Sequence, residues 1–130
     1  MIDFIINRTE ESVYGYTDLN RVETAVQIVA TEFPALGYPA INLEVKTDWF
    51  WPDDFDATQW PTKSQMKRYL NNIKVIKEPF PGLPDLPSTM DNLTWISANN
   101  IERVLQEAIR RIKGIKQSYQ HSGELYAGEE

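Results

Sequence analysis

The stretch from Leu93 to Tyr119, LTWISANNIERVLQEAIRRIKGIKQSY, decides how this chain folds. Ile101, Val104, Leu105, Ala108, Ile112, Ile115 and Tyr119 recur at helical spacing, which puts them in one continuous apolar stripe. Thr94 stands where an N-cap hydroxyl would accept a free amide of the first turn. Gly114 weakens the helix by up to about 1 kcal/mol relative to alanine. At about 1.5 Å per residue, a helix from Trp95 to Tyr119 spans roughly 40 Å, more than the other helices of the chain can cover.

Two shorter helical patterns precede it. In PTKSQMKRYLNNIKVIKE, Thr62 with Gln65 forms a capping box, Met66, Tyr69, Leu70, Ile73 and Ile76 make the apolar face, and four lysines face water. In YTDLNRVETAVQIVATEF, Leu19, Val22, Val26, Val29 and Phe33 share one face, with Thr17 or Asp18 as N-cap and Pro34 and Gly37 as the stop. The run PFPGLPDLP, with prolines 79, 81, 84 and 87, is a stiff connector between the second and third helices.

Between the first two helices INLEVKT alternates, with Ile41, Leu43 and Val45 on one side, and reads as a short strand with one buried face. The opening DFIINR is its candidate partner. The fold class is therefore mainly α with a small β contribution (α+β): a three-helix domain with a short strand or small β element between helices 1 and 2 and a long C-terminal helix. Residues 1–121 form the single globular domain, and residues 122–130 a polar, flexible tail.

Composition narrows the function. A chain of 130 residues with 42% apolar and 25% charged content builds a core without metal or disulfide support. Its net charge of −6 opposes binding to phosphate backbones, so nucleic acid is not an expected partner. There is no cysteine, which removes thiol catalysis and zinc–thiolate sites, and His121 is the lone histidine on which any triad would depend. The first residues hold too short an apolar run for a signal peptide or membrane span.

The pieces NRTEESV, YTDLNRVETAV, GYP, KTDW, PTKSQMKRYLNNI and LPSTMDNLTWISANNIERVL follow one another over Asn7 to Leu105. In that order they resemble a poorly characterised module of phage and prophage structural proteins of Gram-positive bacteria, found in tail, baseplate or host-contact components. The resemblance implies a virion protein, assembled in the bacterial cytoplasm, whose partners are other virion or tail proteins and further copies of itself. It transfers no catalytic residue, ligand site or cofactor. The insertion FWPDDFDATQW is longer and more aromatic than in such modules, so its role belongs to this chain.

That insertion is the candidate ligand site. Trp51, with Asp53, Asp54 and Asp56, offers an aromatic platform beside carboxylates, the combination that recognises sugar rings; a carbohydrate-binding module for host surface glycans is the alternative function. Trp49 and Trp60, at the end of the strand and the start of a helix, are expected in the core. A calcium loop starting at Asp54 lacks the glycine and glutamate it needs, since Gln59 and Gln65 occupy those positions. Glycosidase chemistry needs two rigidly opposed acids, which one loop does not supply. No enzyme, metal or cofactor is expected. A regulatory adaptor using the acidic loop is a third, weaker reading.

The candidate interface is the end of the third helix: Ile112, Ile115 and Tyr119, flanked by Arg110 and Arg111. From Glu102 to Lys116 two acids face five bases, a cationic strip whose default explanation is a solvated face. The stretches Leu19-Asn20-Arg21-Val22, Leu70-Asn71-Asn72-Ile73 and Ala98-Asn99-Asn100-Ile101 share a faint pattern, in which Asn72 and Asn100 flank apolar residues at helical spacing; such a pair, buried and partnered, would fix helix register.

Overall fold

The computed structural model describes residues 2–51 and 60–129, with side chains described through Lys116. Three helices follow in order: α1 (Tyr16–Glu32), α2 (Lys63–Lys77) and α3 (Trp95–Glu129), with a 3₁₀ turn at Pro34–Leu36. Each packs against the other two.

The predicted apolar faces make the core. Leu19, Val22, Val26 and Val29 of α1 meet Tyr69, Leu70, Ile73 and Ile76 of α2, and Ile101, Val104, Leu105, Ala108 and Ile112 of α3. Phe33, Phe80 and Leu83 close one side, the last two from the proline connector. The Phe33 ring lies 6.4 Å from Phe80 and 5.5 Å from Tyr38, holding the chain that leaves α1 against the one that leaves α2.

Helix ends follow local chemistry. Thr62 Oγ1 accepts from the Gln65 amide at 3.1 Å while Gln65 Oε1 accepts from the Thr62 amide at 2.9 Å, the reciprocal box the sequence predicts. Thr94 caps α3 by accepting from the Ser97 amide. For α1 the expectation is corrected: the N-cap is Gly15, and Asp18 sits three residues in, its carboxylate accepting the Gly15 amide at 2.7 Å. Beyond α1, Gly37 at φ +88° lets the Tyr38 amide return to the Phe33 carbonyl.

The fold is all-α: among the described residues there is no strand, which corrects the expected β element. Residues 2–8 and 41–45 alternate in exposure as a strand would, with Ile41, Leu43 and Val45, and Ile2 and Phe4, packed on the core. Their backbone partners are helix side chains in place of a second strand. Asn20 of α1 both donates to the Trp49 carbonyl (2.9 Å) and accepts its amide (2.6 Å). Glu23 accepts the Lys46 amide, and Arg68 and Asn72 of α2 donate to the Glu44 carbonyl at 2.8 and 2.7 Å. On the other side Asn99 of α3 brackets the Arg8 backbone, and Glu102 accepts the Ile5 amide at 3.0 Å. Extended backbone satisfied this way needs no sheet.

The third helix is longer than the sequence pattern. It runs on to Glu129, so residues 122–129 carry helical backbone. From Trp95 that is about 50 Å at about 1.5 Å per residue.

Candidate functional site

Two features of the fold stand out as chemistry: a buried set of charges and an open groove. The buried set joins the N-terminal segment, α1 and α3. Arg8 pairs with Asp18 at 2.8 Å and with Glu102; Arg21 pairs with the same two acids at 2.5 and 2.6 Å. Glu102 has no exposed surface and Arg8 and Asp18 are each 6% exposed. Thus Glu102, expected on a solvated helix face, is at the centre of the molecule; two guanidinium groups and the Ile5 amide make that placement tolerable.

Next to it Tyr14 and Tyr69 share a hydroxyl–hydroxyl hydrogen bond, and the Arg8 guanidinium lies 5.1 Å from the centre of the Tyr14 ring. Burial pushes both tyrosine hydroxyls well above their ordinary pKa, the hydrogen bond from Tyr69 opposing this at Tyr14. Burial also raises Asp18, but the Gly15 amide, Arg8 and Arg21 outweigh it and hold the carboxyl below the ordinary aspartate value.

A second buried acid, Glu23, is 1% exposed and takes Arg68 at 2.5 Å, the Lys46 amide and the Trp49 indole N–H. Among the described residues, no buried side-chain polar atom lacks a hydrogen-bond partner. Every deep acid therefore has its oxygens occupied in holding an extended segment to a helix. Such groups position the chain.

The open feature is a groove of about 720 Å³ beside α2. Trp51, Met66, Leu70, Met90 and Leu93 give it an apolar lining; Lys63, Lys67 and Lys74, all exposed, stand along it on α2. Those lysines recur at steps of four and seven, so they share the helix face that also carries Leu70. The opposite wall is the turn at residues 88–93, where Asn92 takes φ +53°, a left-handed conformation asparagine tolerates, before Thr94 opens α3. Asp91 is the one acid among the described lining residues.

The candidate ligand residues divide. Trp51 lines this groove, half-buried, its ring edge-on to Tyr16 at 5.3 Å. Asp53, Asp54 and Asp56 lie outside the described residues. Trp49 is buried, 3% exposed, as expected. Trp60 corrects the expectation: it is 43% exposed and lines the groove in place of the core, two residues before the Thr62 cap of α2.

The candidate interface residues divide too. Ile112 is buried in the chain's own core, a correction with a clear cause: α1 reaches alongside this part of α3, and its Glu32 pairs with Lys116 at 2.6 Å. Ile115 is half-buried. Arg110 is bound to Glu107 on the same helix, and Arg111 donates to the Pro81 carbonyl at 2.6 Å, stapling the proline connector to α3. Tyr119 lies outside the described side chains. Beyond Lys116 the helical backbone of α3 continues for about 20 Å.

Sequence reasoning missed the buried acids, although a signal was present. Glu102 follows Ala98 by four residues and precedes Leu105 by three; Glu23 holds the same place between Leu19 and Val26. An acid inside an apolar stripe requires a cation beside it. Of the expected register pair, Asn72 is buried but bonds the Glu44 carbonyl, and Asn100 is half-buried while its neighbour Asn99 is the buried amide; Asn20, Asn72 and Asn99 all bind segments outside the helices.

No family model matches the chain, and neither a curated protein nor a solved structure is significantly similar to it.

Proposed function

We propose that this chain is a non-enzymatic structural protein that acts through protein–protein interfaces, in the tail or host-contact apparatus of a phage or prophage. The observation that carries the protein-binding reading is the length of α3, 35 residues or about 50 Å, against 17 and 15 residues in α1 and α2. A helix so much longer than its two partners is a natural element for docking on another chain. The deep acids Asp18, Glu23 and Glu102 support the non-enzymatic part, because arginines and backbone amides already occupy them. The place in a virion rests on the resemblance of Asn7 to Leu105 to modules of tail and host-contact proteins.

A second reading, a carbohydrate-binding module for surface glycans, is favoured by one observation: Trp51 and Trp60 line the same groove. Incubation of the chain with separated tail proteins and with host cell-wall fragments distinguishes the two. Retention of identified tail proteins, undisturbed by Trp51→Ala, is the expected result. Retention on cell-wall glycan alone, abolished by Trp51→Ala and accompanied by quenching of tryptophan fluorescence, would overturn it.

A further inference from the structure

We infer that the lysine-lined groove beside α2 receives the acidic C-terminal end of α3 from a second copy of this chain. This rests on the protein-binding reading above and names the surface and its occupant. The first support is charge. On a chain of net charge −6 the groove is a local basic site: Lys63, Lys67 and Lys74 are exposed along it, and none of the three is in an ion pair among the described residues. The apolar lining between them asks for an occupant with hydrophobic as well as acidic residues.

Besides the stretch that carries Asp53, Asp54 and Asp56, whose flanks Trp51 and Trp60 already line the groove, a segment of that kind lies at the far end of α3. After Lys116 there is no lysine or arginine, and residues 123–130 read GELYAGEE, with Glu124, Glu129 and Glu130 around Leu125 and Tyr126. Acids on one partner opposite lysines on the other steer the encounter, and the apolar pair supplies area to bury.

Geometry then dictates that the contact is between copies. Leu93, in the groove wall, lies two residues before α3 begins, whereas the acidic segment is at its far end. An unbroken helix keeps the two about 50 Å apart, so no chain can fill its own groove. A contact that joins the end of one copy to the groove of the next is heterologous. It leaves one groove and one end free after every addition, and it produces a ring if the rotation closes and a fibre if it does not.

Charge reversal on the full-length chain tests this. One variant carries Lys67→Glu and Lys74→Glu; the other carries Glu124→Lys and Glu129→Lys. The mass of each is measured by light scattering after gel filtration, with circular dichroism melting to check the fold. Wild type is expected to associate as concentration rises, and each variant alone to associate at least about tenfold more weakly. An equimolar mixture of the two variants is expected to regain growth by alternation of the two, because each native groove meets a native end and each reversed groove meets a reversed end. Placing all four substitutions in one chain should restore growth, which also answers any concern over folding. Variants that associate like wild type, or a mixture that stays monomeric while wild type associates, would overturn the inference and leave the protein-binding reading in place through another surface. Wild type that is monomeric throughout would also overturn it, and retention of tail proteins then decides the wider reading separately.

Discussion

Glu102 has no surface of its own in water, yet it receives Arg8, Arg21 and the Ile5 amide at once, so one carboxylate ties the N-terminal segment and α1 to α3. Removing Glu102 leaves two largely buried guanidinium groups to share one acid, Asp18. Glu102→Ala should therefore cost about 3–5 kcal/mol in chemical denaturation, far more than the loss of an exposed charge such as Glu107. Asp18 contributes in a pH-dependent way. Its folded pKa is depressed, so its contribution is complete above the unfolded value of about 4 and is lost as pH falls through the lower folded value. Asp18→Asn should flatten the acid limb of the stability profile below about pH 4; parallel limbs for variant and parent would contradict the assignment. Glu102 and Glu23 stand inside apolar stripes, a signal that the reading of the third helix as a solvated cationic face passes over. Their partners carry no such signal, because Arg8 is 94 residues from Glu102 and no local pattern joins them.

At the scale of the element, the extended segments behave as strands that lack a sheet. Their alternation was readable from Ile41, Leu43 and Val45, since packing on a helical groove imposes the same period of two as packing in a sheet. What hydrogen-bonds them was not readable, because the partners are single side chains on distant helices. The dependence is testable by amide exchange: Asn20→Ala should speed exchange at Trp49, bonded to Asn20, more than at Lys46, bonded to Glu23. Helix ends were legible where the chemistry is local, as at Thr62 and Gln65, and less so at α1, where Gly15 caps and Asp18 serves from inside the first turn. Within α3, a Cβ on Gly114 would meet nothing within 4 Å. Gly114→Ala should raise the stability of the helix by about 0.5–1 kcal/mol, read as a higher denaturation midpoint.

For the whole molecule, helix faces and order were present in the sequence, whereas the groove was not. It collects Trp51, the α2 lysines and the turn before α3 from separate parts of the chain, and only packing brings them together. The molecule is then a three-helix core with a lysine-lined groove near the start of α3, and its sequence places Glu124, Glu129 and Glu130 toward the far end of that helix. Raised salt should weaken its association, since the lysines are exposed and screened beyond about 8–10 Å near physiological ionic strength. The most direct test of the protein-binding account is the mass of the purified full-length chain, measured by light scattering across a concentration series with and without identified tail proteins. The account predicts a mass that rises above the monomer, through self-association or through a tail protein bound in defined ratio. A monomer at every concentration that takes up no tail protein would contradict it.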